Sequence, residues 1–493
     1  MHGQKSRVFL ETPDGLSWTY ADMDALSARA AAALVRLGIK PGDRVAAQVE
    51  KSPPALILYL ATLRAGAVFL PLNTAYTGAE LAYFLADAAP ALLVCNPSRR
   101  DDLTLIAQRA GVAFIETLGL DGKGSFAERC AASQEPFQDI ARGPDDLAAI
   151  LYTSGTTGRS KGAMLTHANL ASNAETLARL WRFSPDDVLL HALPIYHTHG
   201  LFVAVNALAL SGGKLLFLAK FDPRLCVSLM DRATVLMGVP TFYTRLLQDE
   251  TLTREAVRSM RLFISGSAPL LEDTHRQWRE RTGHVILERY GMTETNMTAS
   301  NPYEGERRAG TVGLPLPGVT LRIADPESGI SLDPGKTGVL EVKGPNVFKG
   351  YWRNPEKTAQ EFHKDGFFIT GDLGFIDEAG YVHLVGRGKD LIITGGLNVY
   401  PKEVEAEIDA LPGVIESAVI GLPHADFGEA VVAVVMLESG LPGDELALIA
   451  ALAQKLAKFK LPKRTLFVET LPRNAMGKVQ KNLLRKRYKD LFL

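Results

Sequence analysis

The sequence predicts an α/β fold in which a large, mostly parallel part is followed by a smaller antiparallel part and an α+β unit. Three observations predict it. Short apolar runs, among them Arg44-Val-Ala-Ala-Gln-Val, Ala91-Leu-Leu-Val-Cys, Ala148-Ala-Ile-Leu-Tyr, Thr234-Val-Leu-Met and Arg261-Leu-Phe-Ile, are separated by helix-length segments, which is the pattern of buried parallel strands with crossover helices. After about Val312, glycine and proline become frequent and the strands at 320–324 and 338–343 follow with no long helix between them. That texture predicts an antiparallel or barrel-like subdomain over about 312–388. A third unit begins near Gly386-Arg-Gly-Lys-Asp. In it Pro401 opens a helix carrying Val404, Ile408 and Leu411 at i, i+4 and i+7, strands follow at 417–420 and 430–436, and a second amphipathic helix carries Leu448, Leu452 and Leu456.

Composition excludes several classes of protein. The 493 residues are 46% hydrophobic, with 54 Lys+Arg against 55 Asp+Glu, so the chain can bury enough surface to offset its ordering entropy and is not disordered. Cys95, Cys130 and Cys226 are far apart, which leaves neither a disulfide scaffold nor a cysteine zinc site from sequence neighbours. No apolar run is long enough for a signal peptide or a spanning helix, and the chain reads as soluble and cytoplasmic. Residues 451–493 hold 12 Lys/Arg against 2 Asp/Glu. That basic tail on an otherwise acidic chain suggests a polyanionic partner or a solvated helix face.

The stretch Tyr152-Thr-Ser-Gly-Thr-Thr-Gly-Arg-Ser-Lys-Gly162 follows a predicted strand and packs glycines, hydroxyls and a lysine into one loop. Free backbone N–H groups, small donors and a cation are what cradling phosphate oxygens requires. It is not a Walker A sequence, because Gly162 follows Lys161 where that pattern needs Ser or Thr. Its G-x-S-x-G match is not a nucleophile elbow, since Ser160 lies eight residues beyond the strand end rather than on a sharp turn.

This loop, with Tyr290-Gly-Met-Thr-Glu294, Thr370-Gly-Asp372, Gly386-Arg-Gly-Lys389 and Pro472-Arg-Asn-Ala-Met-Gly-Lys478 in that order, resembles the adenylate-forming superfamily of acyl- and aryl-CoA synthetases, peptide-synthetase adenylation domains and luciferases. The chain departs from that pattern at Ser160, where the family loop has proline. The resemblance implies an N-terminal ATP- and acid-binding domain over 1–388 and a mobile C-terminal domain over 389–493. It implies that Thr153, Ser154, Gly155, Thr156, Thr157, Gly158 and Lys161 hold the phosphates. Gly266, Ser267, Ala268, Glu288, Tyr290, Gly291 and Met292 would surround the adenine, with Tyr290 stacked on it. Thr293 would donate to the α-phosphate and Glu294 would hold Mg²⁺ through a hard carboxylate oxygen. Asp372 and Arg387 would take the ribose, a surface ion pair being the alternative. Lys478 would bridge the acyl carboxylate and the α-phosphate, Lys389 would be the hinge between adenylating and thioester-forming poses, and coenzyme A would run beside Gly395 and Gly396. Lys458 and Lys460 are candidates for the phosphates of coenzyme A. Acylation of Lys478 by a lysine acyltransferase, reversed by a deacylase, would remove the charge that the first step needs.

Arg289 points to the acid. A guanidinium beside the acyl site can pair bidentately with a second carboxylate, whereas a monocarboxylic chain would leave it desolvated and alone. The words around it, with 193–201 and 238–243, are similar to those of malonyl-CoA synthetases, which implies AMP-forming ligation of malonate, or also methylmalonate, to coenzyme A. Pairing of Arg289 with Glu288 is the structural alternative. His197 and Ser265 are expected in the acid pocket, with His197 also catalytic, and Thr241 is a further pocket donor. His197-Thr-His199 lacks a third metal ligand nearby, and His199 reads equally as a core histidine. Other AMP-forming ligases of short acids and carrier-protein loading remain open. A dinucleotide-binding fold lacks its third glycine at 386–391, and nucleic-acid binding lacks aromatics in the basic tail. Neither a nucleic-acid nor a membrane partner is expected.

Overall fold

The structure, a computed structural model, describes residues 5–133, 136–153, 160–326, 328–394, 397–424, 426–474 and 477–492. The first sheet has six strands in the order Phe114–Thr117, Leu92–Cys95, Arg44–Gln48, Val68–Pro71, Leu147–Thr153 and Lys161–Thr166. All its neighbours are parallel except the last two, which pair antiparallel with Thr153 opposite Lys161. The central strands Leu92–Cys95 and Val68–Pro71 are buried throughout, the condition under which a strand reads as a continuous apolar run. Thr19, Thr77 and Thr166 start three of the covering helices through capping boxes with Asp22, Glu80 and Asn169.

A second sheet of nine strands is parallel through its centre. Lys214–Phe217, Val188–His191, Val235–Gly238, Leu262–Ser265 and Leu287–Met292 run side by side, and antiparallel pairs close both ends. Leu287–Met292 turns through residues 293–295 into the antiparallel strand Asn296–Ser300. A Cβ on Gly291 would lie 1.9 Å from the Asn296 carbonyl oxygen, so only glycine lets the hairpin close there.

The predicted texture change at 312 corresponds to a four-stranded antiparallel sheet, Thr320–Ala324, Gly338–Lys343, Phe368–Ile376 and Val382–Arg387. The last unit pairs Val414–His424 with Gly428–Leu437 and adds Ile392–Thr394, Leu397–Val399 and Arg464–Phe467. Pro401–Asp409 packs Val404 and Ile408 into its core. Two leucines expected on helices lie beyond them: the helices end at Asp409 and Leu452, and Leu411 and Leu456 reach the same core from the turns that follow. Among the described residues, no helix is long and apolar enough to cross a membrane.

Candidate active site

The parallel strands of the nine-stranded sheet end together, at Gly238, Ser265 and the middle of Leu287–Met292. Ligands of open α/β sheets gather at such carboxyl ends. Here the strand Leu287–Met292 sends successive side chains to opposite faces, which separates two chemistries. Arg289 points to one face and Glu288 and Tyr290 to the other.

On the first face, Arg289 is 2% exposed, and none of its three guanidinium nitrogens has a hydrogen-bond partner among the described residues. Burial pushes its pKa down to about 9. Its charge reaches Tyr243, His197 and His199. Tyr243 donates its hydroxyl to the Ile264 carbonyl at 2.7 Å, so it is engaged elsewhere. His197 accepts the His199 backbone N–H at Nδ1, 3.2 Å away, which leaves its proton on Nε2. Burial, then the Arg289 charge, lowers its pKa to about 4, so His197 is a neutral donor. His199 is fully buried; Nδ1 lies 3.3 Å from Ser267 Oγ and Nε2 has no partner among the described residues. The buried Ser265 hydroxyl is likewise unpartnered there. Among the described residues no cluster of three His, Cys, Asp or Glu side chains could hold a metal. Pairing of Arg289 with Glu288 does not occur, because strand alternation sends the two apart.

Room for the guanidinium comes from Gly266. A Cβ there would sit 2.4 Å from Arg289 Cζ and 2.5 Å from Nη1. Gly266→Ala is therefore expected to fold, because the displaced atoms end a flexible side chain, and to raise the KM for the acid roughly 10- to 100-fold by moving the guanidinium. Steady-state kinetics with the acid varied at saturating ATP measure it.

On the second face, the Tyr290 hydroxyl donates to Asp372 Oδ2 at 2.5 Å, and Arg387 Nε lies 2.7 Å from Asp372 Oδ1. Asp372 and Arg387 face each other across neighbouring strands, so they form an ion pair in the site rather than on the surface. The Tyr290 ring packs with Ala299, Ile323, Leu340 and Val382. Glu288 shares this face. Its backbone carbonyl accepts from Asn301, and its carboxyl, with Oε1 unpartnered among the described residues, is pushed up to about 8 by burial, against the Lys402 charge. A folded chain that keeps this proton loses stability as pH rises from the ordinary carboxyl value towards 8, where the unfolded chain is already ionised. Glu288→Gln should be close to wild type near pH 5 and more stable by about 3–5 kcal/mol above pH 8. Thermal melts across that range test it.

Glu294 occupies the hairpin turn and is buried. Among the described residues its Oε1 meets neutral hydroxyls, Thr153 Oγ1 at 3.3 Å and Tyr351 OH at 3.2 Å, and burial raises its pKa. A buried carboxylate in no ion pair among the described residues, with the Arg387 charge acting on it only at longer range, fits Mg²⁺, whose remaining ligands would be water and nucleotide phosphate oxygens. Tyr351 also donates to Glu361, and Lys161 lies 3.3 Å from Glu361 and 4.3 Å from the Tyr351 ring centre. Tyr351 and Glu361 escaped the sequence reading, since neither lies in a motif it recognised. Thr293 and Met292 are half-buried in the same hairpin, and Gly266–Ala268 follow the strand Leu262–Ser265; Ser267 has φ +73°.

The C-terminal unit closes over this face. Lys478 follows Gly477, whose Cβ, if present, would be 2.9 Å from Thr241 Oγ1 at the start of the helix Pro240–Leu247. The Lys478 side chain stays solvent-accessible in a cleft, where crowding by protein and then the Arg387 charge lower its pKa while Asp372 and Asp390 oppose them. Lys389 lies in the turn Gly388–Asp390, beside an Asp390–Arg485 pair at 2.7 Å. Lys460 pairs with Glu403, and Lys458 is exposed; neither is brought to the acid pocket. Ser154, Gly155, Thr156, Thr157 and Gly158, and Gly395 and Gly396, lie outside the described residues.

Residues 2–352 match the AMP-binding enzyme family, and residues 403–478 match the AMP-binding enzyme C-terminal domain. The chain is similar to the ATP-bound crystal structure of MatB from Rhodopseudomonas palustris, with 62% identity and a TM-score of 0.98 over 100% of this chain and 98% of that one. It is 38% identical to a malonate–CoA ligase of Arabidopsis thaliana over 481 residues, 91% of this chain and 78% of the relative. A feruloyl-CoA synthase of Amycolatopsis sp is 37% identical over 480 residues, covering 96% and 94%. The motifs from Tyr152 to Lys478, the two-faced strand that holds Arg289 and Tyr290, and these matches agree: the chain belongs to the AMP-binding enzymes, the adenylate-forming superfamily.

Proposed function

We propose that the enzyme ligates malonate to coenzyme A with ATP, through malonyl adenylate. The observation that carries the choice of acid is the buried Arg289 guanidinium, whose three nitrogens have no partner among the described residues. Burying such a charge unpaired is unfavourable, and a distal carboxylate would pair with it bidentately while the neutral His197 donates from Nε2. The second carboxylate would then lie towards Lys478 and the nucleotide face. Its oxygen attacks the α-phosphorus of ATP and pyrophosphate leaves; the sulfur of coenzyme A then attacks the acyl carbon and AMP leaves.

The chain's residues serve the first step by holding charge in place. Glu294 would hold Mg²⁺, which neutralises phosphate charge when bound. Lys161 and Thr153 face the phosphates, Tyr290, Asp372 and Arg387 the nucleoside, and Lys478 the bond that forms. The placement of Lys478 beside Asp372 and Arg387 supports an adenylating pose, with residues 1–388 as the ATP- and acid-binding domain. Rotation at Lys389 would withdraw Lys478 and admit coenzyme A, for whose phosphates Lys458 and Lys460 are candidates.

Pyrophosphate release with acetate, propionate, malonate, methylmalonate, succinate, a medium fatty acid and a cinnamate, with and without coenzyme A, tests the proposal. Malonate, alone or with methylmalonate, should dominate. Preference for a monocarboxylate would leave the adenylating chemistry standing and overturn the choice of acid.

A further inference from the structure

Lys161 is the cation at the exit of the phosphate loop, yet in this structure a carboxylate of the chain itself holds it. Its Nζ lies 3.3 Å from Glu361 Oε1 and 4.3 Å from the Tyr351 ring centre. The Lys161 and Glu361 side chains are only 14% and 19% exposed. Their pairing is therefore less screened than a surface ion pair.

We propose that Glu361 is a positioning residue, a resident counter-ion for Lys161 that the terminal phosphates of the nucleotide displace and that reclaims Lys161 as pyrophosphate leaves. This rests on the reading above that Lys161 holds phosphate. Two features make the pair an exchange rather than a fixed bridge. Glu361 is not stranded when Lys161 turns away, because Lys357 Nζ lies 2.9 Å from the same oxygen and Tyr351 donates to the other. Burial opposes its charge, but Tyr351, Lys357 and Lys161 together hold its pKa below the usual carboxylate range, so it competes as an anion.

An anion poised beside Lys161 weakens both nucleotide entry and product retention. Without it, phosphate should bind more tightly and leave more slowly. Glu361→Gln keeps the shape and removes the charge. Inhibition of malonate-dependent turnover by added pyrophosphate reads the effect: the Ki for pyrophosphate and the KM for ATP should each fall about three- to tenfold, with the KM for malonate unchanged. Glu356→Gln, on the same helix Pro355–Glu361 but exposed, removes an equal charge without touching Lys161 and should change neither constant. Lys161→Ala should raise the Ki. An unchanged or higher Ki in Glu361→Gln, while Lys161→Ala raises it, overturns the exchange and leaves the role of Lys161 intact. An equal drop in Glu356→Gln also overturns it, showing a general field in place of the contact. No effect of Lys161→Ala removes the phosphate reading of Lys161 and the exchange together.

Discussion

Arg289→Met should make the unliganded protein more stable and nearly inactive on malonate. The guanidinium is 2% exposed and unpartnered among the described residues, so it lowers the stability of the unliganded fold. An unbranched apolar side chain of similar length should recover about 1–3 kcal/mol, seen as a higher melting temperature. The same change removes a buried pair from the malonate complex. Losing a desolvated charge partner costs about 2–5 kcal/mol, which lowers kcat/KM for malonate on the order of 10²- to 10³-fold, with short monocarboxylates gaining relative to it. Opposite signs in one variant are the signature of a group kept for its ligand. If stability falls as well, Arg289 is a structural residue, and the malonate reading loses its support.

Lys478→Ala should separate the two half-reactions. The ammonium lies in the cleft with Arg387, Asp372, Lys389 and Asp390 around it, placed to offset charge as a carboxylate meets a phosphate. Removing one such donor lowers the rate by on the order of 10²- to 10³-fold. Malonate-dependent exchange of pyrophosphate into ATP should fall by that much. Formation of malonyl-CoA from supplied malonyl adenylate should stay within a few-fold of wild type. Equal loss in both assays would place Lys478 in the architecture of the closed site rather than in the first step.

The strands were legible because burial on both faces forces an apolar run, as in Leu92–Cys95, and because Gly and Pro mark where the antiparallel sheet takes over. The hairpin through Tyr290 and Glu294 was legible as a motif. The alternative pairing of Arg289 with Glu288 is excluded by the sequence itself, because a strand over Leu287–Met292 forbids the two from sharing a face. The linkage of Glu294, Tyr351, Glu361 and Lys161 could not be read in advance. Tyr351 and Glu361 are 10 positions apart, but Glu294 lies 57 positions from Tyr351 and Lys161 lies 200 from Glu361, so only the tertiary fold brings their side chains together. Helix ends were also beyond reach, since Leu411 and Leu456 keep the apolar rhythm after the hydrogen-bonded helix has stopped.

The strand Leu287–Met292 has a consequence for how such enzymes diversify. On the function proposed above, acid choice and nucleotide recognition sit on alternate residues of a single strand. A point change at 289 can retune the acid while Tyr290 keeps its hydroxyl on Asp372. A one-residue deletion before it would exchange the faces and disable both at once. On that reading, substitution at 289 can change the acid without disturbing the nucleotide face, whereas a one-residue insertion or deletion in this strand cannot.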